Sequence, residues 1–214
     1  MLKKKIIIEV VKKGHNVVPF NIENFFDIDT CFVFEHLKIG VQRRGNENII
    51  KKFPEQLDGI ESYLYIEHND YFVKVHNDLL KAIGLEVNEA WEIAEKNTFA
   101  ETVIQSMYKT LCELMGEEYN ELIENDDMPY VLSNKKRTKG ASAILDKKSL
   151  RDFAKRHGCK KIIAIPSSIH EFLIMPLSDS LTQEELNQMV KEVNTTIVDP
   201  IEQLADKAYV IEII

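Results

Sequence analysis

Apolar and polar positions change rhythm several times along the chain, and each change predicts an element. The last third is the most regular. "MPYVLSN" (128–134) and "ASAIL" (141–145) have the β-rich composition of strands, with the polar turn "KKRTKG" between them. In "DKKSLRDFAKRHG" (146–158) Leu150, Phe153 and Ala154 recur at helical spacing. Lys155, Arg156 and His157 suit the negative end of that helix, and Gly158 stops it. "KKIIAI" and "EFLIMPL" are two further strands, on either side of Pro166, Ser167, Ser168, Ile169 and His170. Thr182 and Glu185 form a capping box, with Leu181 and Leu186 as its hydrophobic staple. Leu186, Met189, Val190 and Val193 are the expected buried stripe of the helix that follows. Asp199-Pro200 breaks the chain, and "AYVIEI" (208–213) closes it as a strand. The predicted order is β-β-α-β-β-α-β, an α+β module with an antiparallel sheet and helices on one face.

The middle is helical after a hairpin. "ESYLYIEHNDYFVKV" (61–75) alternates around an "HND" turn signal. "HNDLLKAIG" predicts a short helix ending at Gly84. "VNEAWEIAEKN" predicts a second, with Asn88 as N-cap and Ala90, Trp91 and Ala94 facing inward. "AETVIQSMYKTLCELMG" (100–116) predicts a third, its stripe formed by Val103, Ile104, Met107, Leu111, Leu114 and Met115. Nearer the N-terminus "KIIIEVV" and "DTCFVFEHLKI" are strand-like, "RRGNEN" is a loop, and "NIIKKFPEQL" is a short helix broken by Pro54. This divides the chain into a β-rich segment (1–60), an acidic hairpin-plus-helices segment (61–127) and the α+β module (128–214).

Composition narrows the class. The 214 residues are 44% hydrophobic and 29% charged, as in ordinary globular domains. No apolar run approaches the roughly 20 residues of a membrane span, so no membrane partner is expected. The opening "MLKKKIIIEVVKKG" resembles a signal peptide, but Glu9 interrupts its apolar run; it is expected to be part of the fold. Three scattered cysteines, with no C-x-x-C, fit reduced thiols in the cytoplasm. The net charge of −8 is unevenly spread. Residues 61–128 carry 4 basic against 16 acidic groups, whereas residues 135–161 carry 11 basic groups against Asp146 and Asp152.

Candidate chemistry follows from these patterns. Pro166, Ser167, Ser168, His170 and Glu171 gather hydrolase residue types in one place, with Ser168 as nucleophile and His170 as base. On an extended segment, however, Glu171 points away from His170, so the orienting acid must come from elsewhere. No G-x-S-x-G elbow or H-E-x-x-H spacing is present. The motif therefore reads as a hairpin corner, and no catalytic residue, metal or cofactor is assigned. Two charged faces are binding candidates. Lys135, Lys136, Arg137 and Lys139, extended by Arg151 and Arg156 within residues 135–156, suit phosphate or an acidic protein; Arg137 is the fork. Glu89 and Glu92, in a run with Glu86 and Glu95, suit a basic protein surface.

Four blocks carry a resemblance: "AWEIAEKNT" (90–98), "PYVLSNKKRTKGASAIL" (129–145), "IPSSIHEFLIMPL" (165–177) and "VKEVNTTIV" (190–198). In that order they resemble an uncharacterised domain family of bacterial proteins, found in Firmicutes and in or beside mobile genetic elements. The N-terminal segment matches it less well. The resemblance implies a fold unit and a genomic setting, and it transfers no catalytic residue. The functional expectation is a non-enzymatic binding or regulatory protein acting through a protein partner, in that setting an inhibitor of a host defence system. The alternatives are a nucleic-acid-facing binder using the basic residues and a hydrolase at Ser168 and His170.

Overall fold

The computed structural model describes residues 7–12, 17–21, 30–68, 71–120, 128–177 and 182–213. The fold is α+β, with antiparallel strand pairing and helices. The chain divides into two units, one formed by residues 1–40, 45–52 and 62–100 and the other by residues 41–44, 53–61 and 101–214.

The first unit holds most of a six-stranded sheet, of which residues 41–43 and 60–61 fall in the second. Its strands are β1 (Ile7–Lys12), β2 (Val17–Asn21), β3 (Leu37–Arg43), β4 (Lys51–Lys52), β5 (Ile60–His68) and β6 (Tyr71–Lys74). The order is β2-β1-β6-β5-β3, with β4 also on β5. The predicted hairpin of β5 and β6 is present, pairing Ile66 with Val73 and Glu67 with Phe72; the turn residues 69 and 70 lie outside the described residues. Three helices accompany the sheet: α1 (Thr30–His36), α2 (Asn77–Ile83) and α3 (Val87–Phe99). The predicted strand at 29–39 is thus a helix followed by a strand. Asn97 of α3 stabilises that change of direction, donating to Phe34 O and Leu37 O at 2.7 and 3.0 Å, while Thr98 Oγ1 accepts from Ile39 N. Gly84 ends α2 in the left-handed region, as expected, and Ala90, Trp91 and Ala94 are buried. The N-cap of α3 is Glu86 rather than Asn88, and it makes no side-chain cap. The helix expected at 48–57 is instead the short strand β4 followed by turns, because Ile50 N donates to Val75 O and Leu64 N to Ile50 O.

The second unit contains a five-stranded sheet in the order β11-β9-β10-β8-β7. The strands are β7 (Thr102–Ser106), β8 (Tyr130–Asn134), β9 (Lys161–Ser168), β10 (Glu171–Pro176) and β11 (Tyr209–Glu212), and all four pairings are antiparallel. Its helices are α4 (Met107–Met115), α5 (Lys147–Arg156) and α6 (Gln183–Thr196). Two expectations are corrected here. Residues 141–145 form part of a 3-10 helix, Gly140–Leu145, in which Gly140 to Ile144 are all buried. A run without polar alternation does not distinguish strand from helix, and the packing around Gly140 decides it. The strand opposite β8 comes instead from residues 102–106, predicted as helical. Thr102, Val103 and Ile104 favour the pleat, and Ser106 caps α4 by accepting from Lys109 N. Leu111, Leu114 and Met115, expected in a buried stripe, are exposed.

Helices cover both faces of this sheet, not one. Ile162, Ala164, Phe172, Ile174 and Tyr209 pack with Leu150 and Phe153 of α5, while Ile163 packs with Leu186 and Val190 of α6. Three successive residues of β9, Ile162 to Ala164, are accordingly fully buried, which explains the continuous apolar run there. The capping box of Thr182 and Glu185 is formed, whereas the staple partner Leu181 lies outside the described residues. The buried stripe of α6 is Leu186, Val190 and Asn194; Met189 and Val193 are exposed. Asn194 is tolerated inside because its Nδ2 donates to Ala205 O and Asp206 Oδ1.

Candidate functional site

The fold brings together the two most distinctive sequence blocks. β8 pairs with β10, setting Leu132 against Phe172 and Val131 against Leu173. The loop that follows β8 therefore arrives beside the turn joining β9 to β10. Pro166, Ser167 and Ser168 lie in β9 rather than in the turn, which consists of Ile169 and His170. Pro166 is opposite Phe172 and Ser168 is opposite Glu171, with a bulge between Glu171 and Phe172.

Asn134 organises the loop. Its Oδ1 accepts from Thr138 N, its Nδ2 donates to Thr138 O, and its carbonyl accepts from Arg137 N. Arg137 and Lys139 adopt left-handed backbone, φ 51° and 52°, a conformation costly for residues with a Cβ. Gly140 then passes so close to β8 and the turn that a Cβ would lie 2.5 Å from Asn134 N and 2.8 Å from His170 O, with Ser133 Oγ closer still. Ser133 Oγ donates to His170 O at 2.7 Å, and Ala141 N donates to Ile169 O.

His170 is the centre of the arrangement. Its Nδ1 accepts the Lys139 backbone N–H at 3.0 Å. The ring proton is consequently on Nε2, which donates to Glu202 Oε1 at 3.2 Å. Ile169 N donates to Glu202 O, tying the same segment to the turn through the main chain. The remote acid that the sequence called for is thus Glu202, 32 residues away and without any local motif to reveal it. A base for Ser168 also needs a nitrogen lone pair directed at the hydroxyl. Here the Nδ1 lone pair is engaged by Lys139, and Ser168 Oγ accepts from the backbone N of His170. Ser167 Oγ donates to Glu171 Oε1 at 3.4 Å. These polar groups serve the corner itself.

The charged candidates are distributed over three places. Lys135 and Lys136 are exposed at the loop tip. Arg137 is half-buried and turned onto α4, where Nη2 donates to Glu113 Oε2 at 3.1 Å and to Thr110 Oγ1 at 3.4 Å, so one arm of its fork is already engaged. Lys139 is half-buried, and Arg151 and Arg156 are exposed on α5. Backbone donors that could cradle a phosphate, those of Arg137, Thr138 and Lys139, are all satisfied inside the loop and turn. Glu89 and Glu92 are exposed on α3.

A second polar feature of this unit escaped sequence reasoning because its parts come from opposite ends of the chain. A shallow cavity of about 270 Å³ is lined by Arg43, Asp58, Gly59, Asp206, Lys207 and Tyr209, among others. Arg43 forms a two-pronged pair with Asp206, both contacts at 2.9 Å, and Lys207 pairs with Asp58 at 3.0 Å. Hydrogen bonding to Arg43 holds the Asp206 carboxyl below its ordinary range, and burial pushes the Tyr209 hydroxyl up to about 12. Each cation lining the cavity already has a carboxylate, which leaves no net charge to attract an ion.

Among the described residues no three His, Cys, Asp or Glu side chains are grouped to hold a metal, and no helix is long and apolar enough to cross a membrane. Comparison of the whole chain with protein-family profiles gives a match over residues 2–212. The chain belongs to DUF5688, a family of unknown function. The match extends through the N-terminal β-rich segment, so the DUF5688 unit includes both halves of the structure rather than the C-terminal blocks alone. No curated protein and no solved structure matches the chain.

Proposed function

We propose that this DUF5688 chain is a non-catalytic binding protein that acts through a protein partner, with the outer face of α3 as its contact surface. The supporting observation is the placement of Glu89 and Glu92. Both are exposed, while Ala90, Trp91, Ala94 and Thr98 occupy the buried side of the same helix. At about 3.6 residues per turn the two carboxylates face away from the core, flanked by the exposed Glu86 and Glu95. Such a row favours a basic partner surface and speeds encounter with it. The finer reading is a cytoplasmic accessory of a mobile element whose α3 competes for the basic groove of a host defence protein. The internal use of His170 and Ser168 weighs against the hydrolase alternative.

The test is an affinity capture from host extract, quantified by mass spectrometry, with wild type and the double variant E89K/E92K. One stoichiometric partner, depleted about tenfold or more by the double reversal, is the expected result. Equal capture by both proteins, or no stoichiometric partner, overturns the reading. Circular dichroism verifies that the variant is folded. The nucleic-acid alternative retains exposed Lys135, Lys136 and Arg156. Salt-sensitive retention on DNA or RNA, lost in K135E/K136E, would favour it over the protein partner.

A further inference from the structure

We infer that His170 is a pH-sensitive latch on the cation-bearing loop 135–139. The loop's conformation depends on an acceptor that acid removes. Lys139 holds a left-handed backbone, and its N–H is received by the imidazole Nδ1 at 3.0 Å. That bond exists only while Nδ1 carries a lone pair. When the ring takes up a second proton, Nδ1–H opposes Lys139 N–H, and an attraction becomes a repulsion between two donors.

The surroundings determine which partner moves. Glu202 contacts the ring on its other side, Nε2 to Oε1 at 3.2 Å, and this contact strengthens from a hydrogen bond with an uncharged donor to an ion pair when the imidazole becomes cationic. The main chain of the turn is also fixed, by Ser133 Oγ on His170 O, Ser168 Oγ on His170 N and Glu202 O on Ile169 N. The ring therefore remains in place and the loop yields. Glu171 of β10 accepts from Ser167, Arg137 of the loop is directed to Glu113 on α4, and Lys139 contributes its backbone N–H. Release of Lys139 N–H also relaxes the left-handed backbone at Lys139, which lowers the cost of opening. In neutral solution the loop is pinned to the turn. Protonation of the ring frees the Lys139 end of the loop from the turn.

Two nuclear magnetic resonance measurements on the intact chain test this. The ¹⁵N spectrum of the His170 ring at neutral pH should show the Nε2–H tautomer. The hydrogen-exchange protection factor of the Lys139 amide should fall by about tenfold or more as the ring protonates, while amides of β9 keep theirs. In H170Q, whose side chain does not titrate, Lys139 protection should be flat over the same range. An Nδ1–H tautomer at neutral pH overturns the inference. So does Lys139 protection that is unchanged when the wild-type ring protonates, or that falls equally in H170Q.

Discussion

At the scale of single residues the corner beside β8 depends on a glycine for space, not for backbone freedom. Gly140 meets Asn134 N, His170 O and Ser133 Oγ where a Cβ would go. Two of these atoms are main chain and the third is held by its bond to His170, so none can move cheaply. Gly116 is the natural control: its φ is 71°, and a Cβ there would meet nothing within 4 Å. Gly116→Ala should cost about 1 kcal/mol through backbone strain alone. Gly140→Ala should cost about 2–3 kcal/mol or more, the range for forcing atoms into a filled site. Urea midpoints of the two variants verify this, and similar costs would show that the corner gives way more readily than its geometry implies. The sequence displayed Gly140 as an ordinary turn residue. Its spatial role depends on Ser133 and His170, 37 positions apart, and no local pattern carries that information.

Among the elements, the start of α6 is the most legible feature and strand pairing the least. Thr182 and Glu185 announce α6 because both groups of the capping box lie within one turn. Residues 102–106 were obscured because Val103, Ile104 and Met107 also satisfy a helical stripe; only pairing with β8, beyond the whole of α4 and the acidic connection, selects the strand. The 3-10 helix is obscured for the complementary reason, since its strand-like composition is overruled by the close packing of Gly140 against Ser133, Asn134 and His170. The two best caps make an ordered prediction. Asp146 is buried, accepts from Lys148 N and Ser149 N at 3.1 Å, and receives Ser149 Oγ at 2.6 Å. Thr182 is exposed and satisfies Glu185 N alone within its helix. Thr182→Ala should therefore cost about 1 kcal/mol and Asp146→Ala about 2 kcal/mol, the upper end for cap removal. Thermal or urea unfolding of each variant gives the order directly, and the reverse order would show that α5 does not rely on its cap.

On the scale of the molecule, sequence order and spatial unit diverge. The second unit draws residues 41–44 and 53–61 from the first third of the chain. Val41, Leu57 and Ile60 are all nearly or fully buried in the cluster that also holds Phe153, Phe172 and Tyr209. Tyr209 Oη donates to Asp58 O at 2.7 Å. Gln56 exchanges two hydrogen bonds with the backbone of Glu212, occupying an edge position of β11 that would otherwise be open to another strand. The segment 53–61 is thus both core and edge cover for a sheet whose strands all come after residue 101. Each of the three buried aliphatic side chains is worth about 1.5–3 kcal/mol of burial, a sum comparable with the roughly 5–15 kcal/mol that holds a domain together. A fragment of residues 101–214 should therefore lose cooperative urea unfolding, bind a hydrophobic dye and self-associate through β11. The isolated fragment unfolding at the same midpoint as the intact chain would show that the early segment is dispensable. Leu57→Ala in the full chain provides the gentler version of the test, with an expected loss of about 2–5 kcal/mol, since it empties the same position without exposing the edge. If the fragment self-associates while intact Leu57→Ala remains monomeric, the self-association belongs to the uncovered edge of β11 and not to the weakened core.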